Sequence, residues 1–305
     1  MSVGDSLAPS AVPSSSESAL ARFAAEFARS WLAVAALVIA LLLIVAAIAA
    51  PFITPQNPYD LSQLNILDSR LPPGSPADSG IVYWLGTDDQ GRDMLSAILY
   101  GLRISLGVGI GSALIAGIIG SAFGLMAAYA GGKWDAGLMR LVDLQLSFPS
   151  ILVALMIVAG FGKGVMNVLL ALVIVEWAYY ARAIRASALV EKRKEYIEAA
   201  ECLALPRFRI VFYHLLPNCL PPLIVIVAMQ IAQAILLEAT LSFLGLGVPV
   251  TEPSLGLLVA NGYQYMLSGQ YWITFYPGIA LLVAVVSFTL VGDRFRIMLN
   301  PRLRR

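Results

Sequence analysis

Residues Glu195 to Asn218 read EYIEAAECLALPRFRIVFYHLLPN and form a charged, helix-prone segment in a chain that is otherwise strongly apolar. The first half consists mostly of good helix formers, with the small residues Ala199 and Ala200 on one face. Pro206 suits the first turn of a second helix, because the N–H group that proline lacks has no intrahelical partner there. The segment therefore predicts a helix, a short turn and a second helix.

The same segment has the features of a docking surface. Small side chains let the backbone of a partner approach closely, and Glu195, Glu198 and Glu201 can meet basic groups. A glycine in place of Ala204 would allow a positive φ at the turn, so alanine either costs about 1 kcal/mol there or the turn takes another shape. The alternative interpretation is a solvated amphipathic loop that binds no partner.

The composition indicates an all-α protein that crosses a membrane several times. Hydrophobic residues make up 59% of the chain and charged residues 13%, and the mean hydropathy is +0.80, far from the values of a soluble domain. A membrane-spanning helix needs roughly 20 apolar residues. Six segments are predicted to span: about Trp31–Pro51, Ser105–Ala130, Ser147–Phe161, Val165–Ile184, Leu220–Leu244 and Trp272–Val291.

The basic residues indicate the orientation of these spans. Of the 20 Lys and Arg residues, only Arg70, Arg92, Arg103 and Lys163 fall in external segments if the N-terminus is cytoplasmic, which leaves 16 inside. Both termini are therefore expected in the cytoplasm, and the membrane lipid surrounds the bundle. The predicted segments are a largely disordered N-terminal stretch over residues 1–30, a first span 31–52, an external segment 53–102, a core 103–292 with a cytoplasmic loop 188–218, and a cytoplasmic tail 293–305.

Charged residues at the predicted spans are candidates for function. A carboxylate within the bilayer is costly and usually faces a cavity or a partner. Glu176, in the middle of the fourth span, could touch a cationic substrate group or hydrogen-bond to neighbours such as Tyr180, and Glu238 lies in the fifth span. A hydrogen bond that serves packing is the favoured interpretation of each. Near the third span, Arg140 and Asp143 are spaced to neutralise each other on one helix face.

Glycines in the second span predict close helix packing. Gly107 with Gly111, and Gly120 with Gly124, are pairs of small residues four positions apart, which allow helices in lipid to approach closely. Before that span, residues Leu85 to Asp93 read LGTDDQGRD. Thr87 or Asp88 is predicted to cap a helix that begins near Gln90.

Several motifs together resemble the membrane subunits of bacterial ABC importers. Glu198-Ala199-Ala200, Ala204 and Leu216-Pro217 match the spacing of the family's EAA loop, although Ala204 replaces its glycine and His214 its isoleucine. The LGTDDQGRD segment, the run EATLSFLGLG from Glu238 to Gly247, and the ending GDRFRIMLNPR from Gly292 are similar to the dipeptide, oligopeptide and nickel permeases. In the ending, Ile297 and Asn300 stand where the family has Asp.

The resemblance implies a type I ABC importer permease fold in the bacterial inner membrane. It implies a second similar permease subunit, two ATPase subunits that bind ATP and Mg, and an external substrate-binding protein. The cargo implied is short peptides, with nickel chelates, glutathione and opines as alternatives. The residues implied to couple to the ATPase are Glu195, Glu198, Ala199, Ala200, Ala204, Leu216 and Pro217. Those implied for the pathway or gate are Glu176, Tyr180, Glu238, Ser242 and Phe243, and those for external docking, or for capping alone, are Asp88, Asp89, Arg92 and Asp93.

The sequence contains no motif for catalysis by the chain itself. It has no G-x-x-x-x-G-K-[ST] phosphate loop and no His and Cys spacing typical of a metal site, and its near-neutral charge gives no sign of nucleic-acid binding. We therefore expect a transport subunit without catalytic residues, cofactor or metal. Cys202 and Cys219 are not expected to form a disulfide in the cytoplasm. The alternative class is a transporter driven by an ion gradient, which predicts internal repeats, broken helices and paired charges at the midplane.

Overall fold

The computed structural model describes residues 19–77, 80 and 82–299, and this region of the chain is almost entirely helical. The helices are α1 (Ala19–Ala28), α2 (Trp31–Ile53), α3 (Met94–Ala130), α4 (Gly132–Ser147), α5 (Ser150–Phe161), α6 (Val165–Glu191), α7 (Glu195–Cys202), α8 (Arg207–Arg209), α9 (Leu216–Phe243), α10 (Leu255–Tyr263) and α11 (Trp272–Leu299). A π-helical segment, Ile210–Leu215, joins α8 to α9. Two short antiparallel strands, β1 (Ser75–Pro76) and β2 (Val82–Tyr83), pair in the segment before α3. The all-α prediction is confirmed.

Five helices of the described chain are long and apolar enough to span a membrane, or six if one bent pair is a single span. The five are α2, α3, α6, the continuous run Arg207–Phe243 and α11. The third predicted span, Ser147–Phe161, is not one straight helix, because α4 and α5 meet at an angle of 90°. Pro149 causes the break: it lacks an N–H group and forces Phe148 into an extended conformation with φ −94° and ψ 142°.

Helices α3 and α6 pack at van der Waals contact along the second pair of glycines. A Cβ atom built on Gly120 would lie 2.3 Å from the carbonyl oxygen of Trp177, and one on Gly124 would lie 2.5 Å from that of Ala181. The close packing predicted for this pair is confirmed. At Gly107 of the first pair, a Cβ would have no neighbour within 4 Å in the described chain, so that position is not a packing contact.

The two ends of the described chain pack together. Phe27 of α1 lies with its ring centroid 5.5 Å from that of Phe295 in α11, and Met298 joins the same apolar cluster. Helix α11 continues to Leu299, so the predicted boundary between core and tail at 292/293 falls inside a helix. Residues 1–18, which make up most of the segment 1–30 predicted to be largely disordered, lie outside the described residues, and Ala19–Ala28 at the end of this segment is helical.

The segment between α2 and α3 has little regular structure and contains two short 3₁₀ turns, Leu61–Gln63 and Ile66–Asp68. Its end is tightly packed, with Thr87 fully buried. The Thr87 hydroxyl donates to the carbonyl oxygen of Asp68 (2.5 Å), and the indole N–H of Trp272 donates to the Thr87 carbonyl oxygen (3.2 Å). These bonds attach the segment to the start of α11.

Candidate functional site

The loop after α6 has the predicted helix, turn and helix, with α7 followed by α8 and the π-helical segment. On α7, Glu195, Glu198 and Ala199 are exposed. Ala200 is buried with Ile197 in a small core that also includes Ile210, Leu205 and Tyr129. The expectation that both alanines face a partner is therefore wrong for Ala200, because its side chain supports the loop from within.

The turn of this loop has the left-handed conformation that glycine would favour. Ala204 has φ +51°, one of two positive values among the described non-glycine residues. The backbone N–H of Leu205 donates to the carbonyl oxygen of Ala200 (3.2 Å), which closes the end of α7. Of the two outcomes considered for alanine here, the turn keeps the glycine-type shape, at a cost of about 1 kcal/mol.

The loop is attached to the end of α3 by one side chain. Lys192 donates from Nζ to the carbonyl oxygens of Tyr129 (3.1 Å) and Ala128 (3.4 Å). The same ammonium lies 5.1 Å from the centroid of the Tyr129 ring. A cation at the C-terminus of a helix is stabilised by the unpaired carbonyl groups and by the helix dipole. Because Tyr129 also packs on Ile197 and Ala200, α7 and the end of α3 are in direct contact.

The connection from the loop into α9 is a π-helical segment followed by prolines. Leu216 packs against Leu125 and Leu215, while Pro217 is exposed. The π-helix was not predicted from the sequence. Pro217 was the available signal, because its missing N–H group cannot bond to the carbonyl of Tyr213 in an α-helical pattern.

Two ion pairs join α4 to α6. Asp143 accepts a hydrogen bond from Nη2 of Arg182 (2.6 Å), and Asp135 accepts two from Arg185 (2.5 and 2.6 Å). The hydrogen bonds from Arg185 hold the pKa of Asp135 below its ordinary value. The expected pair of Arg140 with Asp143 is not the one observed. The aspartates instead bond to arginines about 40 to 50 residues later in the chain.

Glu238 is fully buried, and both of its carboxylate oxygens accept hydrogen bonds. Ser105 of α3 donates to Oε2 and Ser242 donates to Oε1, each at 2.7 Å. The hydroxyl of Ser105 also accepts from the backbone N–H of Leu255 in α10 (3.3 Å). Through Ser105, Glu238 therefore connects α9 to α3 and α10, which agrees with the packing interpretation. Phe243, at the end of α9, is exposed and packs edge-on to Tyr263.

Glu176 has a different environment from Glu238. It is 3% exposed, and its Oε2 atom has no hydrogen-bond partner among the described residues. Glu176 lines a cavity of ≈ 380 Å³ between α5, α6 and α9. Tyr180 does not line this cavity, and its ring packs against Gly117 of α3. The packing interpretation is not supported for Glu176, and of the predicted pathway residues it is the one that borders this cavity.

The external motif forms the interior of the segment before α3. Asp88 and Arg92 make a buried ion pair with 2.6 Å between Oδ2 and Nε, and Arg92 also donates to the carbonyl oxygen of Val250. Asp93, not Thr87 or Asp88, caps α3, because its Oδ2 accepts from the backbone N–H (2.8 Å) and the hydroxyl (2.6 Å) of Ser96.

Burial excludes three of the four predicted docking residues from surface contact. Asp88, Arg92 and Asp93 are at most 1% exposed. Asp89 is half-buried, and desolvation together with the charge of Asp88 raises the pKa of its carboxyl group. The motif therefore stabilises the segment, and the alternative of a capping role is supported for Asp93.

A larger groove of ≈ 990 Å³ lies between α3, the loop and α9. Its walls are mainly apolar and include Leu125 and Phe208, and the rings of Phe208 and Phe212 stack with centroids 4.4 Å apart. This groove could not be predicted from the sequence, because a gap between helices that are distant in the chain leaves no local sequence pattern. Among the described residues, no group of three or more His, Cys, Asp or Glu side chains is placed to bind a metal.

Two family models match the chain. Residues 120–305 match the binding-protein-dependent transport system inner membrane component, and residues 18–73 match the N-terminal transmembrane domain of oligopeptide transport permease C. Similar curated proteins include the probable D,D-dipeptide transport system permease protein DdpC of Escherichia coli, 38% identical over 85% of this chain and 84% of that protein. The di/tripeptide transport system permease protein DppC of Pseudomonas aeruginosa is 36% identical over 94% of this chain and 93% of that protein.

The fold is similar to that of a solved transporter. An inward-facing structure of the MetNI methionine ABC transporter aligns with a TM-score of 0.55 and 21% identity, over 68% of this chain and 98% of the solved one. The helical core, the loop between α6 and α9, and the family models agree. The chain therefore belongs to the family of inner-membrane components of binding-protein-dependent transport systems, and it has the fold of an ABC importer permease.

Proposed function

We propose that this chain is one of two membrane subunits of an ATP-driven importer of short peptides. The observation that carries this proposal is the acidic outer face of α7, where Glu195 and Glu198 flank the small contact surface of Ala199. This helix is fixed to the transmembrane bundle on both sides, through Lys192 to α3 and through Ile210 to the start of α9. A contact with a basic groove of an ATPase subunit would therefore move both helices.

The assembly that we propose has four kinds of component. A second, similar permease completes the pathway, two ATPase subunits bind ATP and Mg, and an external protein delivers the substrate. The chain lies in the bacterial inner membrane with both termini in the cytoplasm. The excess of basic residues on the side of the coupling loop, residues 188–218, supports that orientation. The packing of Phe27 on Phe295 supports placing both ends on one side.

Within the coupling loop, the predicted residues have two roles. Glu195, Glu198, Ala199 and Pro217 are exposed and form the contact surface. Ala200, Ala204 and Leu216 give the loop its shape: a buried contact, a left-handed turn and an anchor against Leu125.

Peptides are the proposed cargo in preference to nickel chelates, glutathione or opines. The support is that the similar permeases carry names of dipeptide, D,D-dipeptide and di/tripeptide transport systems. The competing class, a transporter driven by an ion gradient, predicts broken helices, and the α4–α5 pair is one. The broken pair lies within the residues that match the family model, so it does not favour the alternative.

Reconstitution tests the proposal directly. The chain is co-expressed with a second permease, the ATPase subunits and the binding protein of its system, and ATP-dependent uptake of a labelled dipeptide is measured in proteoliposomes. Glu198→Lys should insert and assemble with the second permease but lose most of the ATPase subunit in pull-downs, because a mismatched charge in a desolvated contact costs several kcal/mol.

The matched control is Glu252→Lys, the same charge reversal in the segment between α9 and α10, far from the loop. It should retain the ATPase and the uptake. Normal ATPase retention and transport by Glu198→Lys would show that the coupling assignment is wrong. Uptake by the wild-type complex without ATP, driven by a proton or sodium gradient, would favour the other class of transporter.

A further inference from the structure

The cavity beside Glu176 combines apolar walls with several polar side chains, which are costly in the middle of a membrane bundle. It lies between α5, α6 and α9, and its walls carry the side chains of Ser150, Glu176, Tyr179, Gln230, Gln233 and Thr240. Its volume of ≈ 380 Å³ is within the range of small-molecule sites. Tyr179 and Gln233 are accessible on the surface of the isolated chain, so the cavity is open rather than sealed.

The Glu176 carboxylate is incompletely bonded within the chain. Its Oε2 atom is buried and accepts no hydrogen bond from the described residues, whereas both oxygens of Glu238 accept one. Glu176 lies 11 residues into α6, about 17 Å along the axis and so near the bilayer midplane. A carboxylate at that depth is costly unless a cation or donors meet it.

No basic side chain of the described chain is available to Glu176. The cavity has no Lys or Arg among its lining residues. The next arginines along α6, Arg182 and Arg185, already pair with Asp143 and Asp135. Among the described residues no cation is placed to pair with Glu176, so a cationic partner would come from elsewhere, and the open cavity is where it can enter.

The start of α5 offers the opposite charge to the same cavity. Ser150 is the first residue of this helix and lines the cavity, and no side chain caps the helix. The first N–H groups of a helix have no intrahelical acceptor, and the helix dipole adds a partial positive charge there. Half-helices that begin within a membrane bind anionic groups in this way. The break at Pro149 brings this helix start to the cavity wall.

We infer that this cavity binds the two charged ends of a short peptide on its way through the membrane. The protonated α-amino group bonds to Glu176, and the α-carboxylate bonds to the N-terminus of α5. The amides of Gln230 and Gln233, which line the same cavity, are placed to meet the peptide backbone. The inference rests on the proposed function and adds to it a recognition step by the membrane subunit itself, beyond selection by the external binding protein.

The test compares a free dipeptide with its N-acetylated form. Initial rates of ATP-dependent uptake are measured in proteoliposomes of the full complex, with binding protein saturated by each peptide. Glu176→Gln should lower the uptake rate of the free dipeptide about tenfold or more, which corresponds to the loss of one hydrogen bond to a charged group. The uptake rate of the N-acetylated peptide should not change. Glu176→Asp should recover part of the rate.

Glu238→Gln is the matched control, since it removes a buried carboxylate that the chain itself satisfies. It should slow both peptides by the same factor. At the other end of the site, Ser150→Pro removes one N–H group at a position where proline is tolerated, and Ser150→Ala removes only the hydroxyl. Ser150→Pro, but not Ser150→Ala, should slow the free dipeptide relative to its C-terminal amide.

A binding measurement complements the rates. In a complex without binding protein, and with Cys202→Ser and Cys219→Ser, a cysteine is introduced by Tyr179→Cys at the cavity mouth. Millimolar dipeptide should protect this cysteine from alkylation, and Glu176→Gln should remove the protection.

The outcomes separate this inference from the proposed function. If the wild-type complex imports the dipeptide but Glu176→Gln slows both peptides equally, or neither, the site is refuted and the importer stands. If Glu176→Gln instead releases the second permease during purification, Glu176 is an interface contact and the site is again refuted. If the wild-type complex imports no peptide, both proposals fail.

Discussion

The substitution Gly120→Ala should separate α3 from α6 and destabilise the whole bundle. A Cβ at this position would lie 2.3 Å from the Trp177 carbonyl oxygen, 2.6 Å from Cβ of Tyr180 and 3.0 Å from the backbone nitrogen of Ala181. Two of these three atoms belong to the backbone, so no side-chain rotation relieves the contact. An ordinary contact of about 3.4 Å requires the helices to move apart by about 1 Å.

The expected cost follows from this displacement. Overpacking typically costs about 1–3 kcal/mol, and a backbone contact that cannot relax lies at the upper end. Fluorescence-detected thermal unfolding of the purified complex in detergent should show a midpoint about 6–12 °C lower, because the cost is about 3 kcal/mol and each kcal/mol corresponds to roughly 2–4 °C in a large domain. Transport should decline with the amount of assembled complex.

Gly107→Ala is the matched control on the same helix. A Cβ there would meet nothing within 4 Å in the described chain, and alanine is the better helix former by about 1 kcal/mol. Its unfolding midpoint should be equal to or above that of the wild type. Equal midpoints for Gly120→Ala and the wild type would refute the argument, since they would mean that α3 and α6 do not touch at this point.

Three further predictions concern the coupling loop. Ala200→Asp buries an unpaired charge, so it should unfold the loop and raise amide hydrogen exchange over 195–203. Ala199→Asp, at an exposed position, should leave exchange unchanged and weaken only ATPase binding, and equal exchange in both variants would contradict the burial of Ala200. Ala204→Gly should slow exchange in the same segment, because glycine relieves the strain of the left-handed turn. The net increase in the stability of the loop should be about 0.5 kcal/mol, after the greater flexibility of glycine in the unfolded chain is subtracted, and faster exchange would show that the left-handed turn is absent. Lys192→Met removes the hydrogen bonds to the carbonyl oxygens of Ala128 and Tyr129, so it should keep the ATPase bound but lower the number of peptides imported per ATP hydrolysed. An unchanged ratio of peptide to ATP would exclude this contact from coupling.

Features fixed by neighbouring residues could be predicted from the sequence. The helix, turn and helix of the loop follow from Pro206 and from the helix formers before it, and a positive φ at residue 204 was one of the two shapes expected for the turn. The packing of Gly120 and Gly124 followed from their spacing, since small residues four apart share one helix face.

Features fixed by distant residues could not be predicted in this way. Glu176 and Glu238 are each a single carboxylate in an apolar predicted span, so the sequence does not distinguish them. Ser105, 133 residues away in the chain, donates a hydrogen bond to Glu238, whereas no described residue donates one to Oε2 of Glu176. Likewise Arg182, not nearby Arg140, is the residue that reaches Asp143. Asp93 caps α3 because the folded segment before it occupies Thr87 and Asp88 with other bonds.

The glycine contact between α3 and α6 has a mechanical consequence for transport. Two helices in backbone contact, joined further along by Tyr180 against Gly117, form a stiff pair that cannot slide or bend independently. The coupling loop is attached to the end of this pair through Lys192, and Glu176 belongs to it. A push from the ATPase would therefore carry the Glu176 wall of the cavity as a rigid body. The cavity can then change shape only by bending of the opposite wall, which is α9. The π-helical turn and Pro217, Pro221 and Pro222 leave that helix with fewer backbone hydrogen bonds to resist bending.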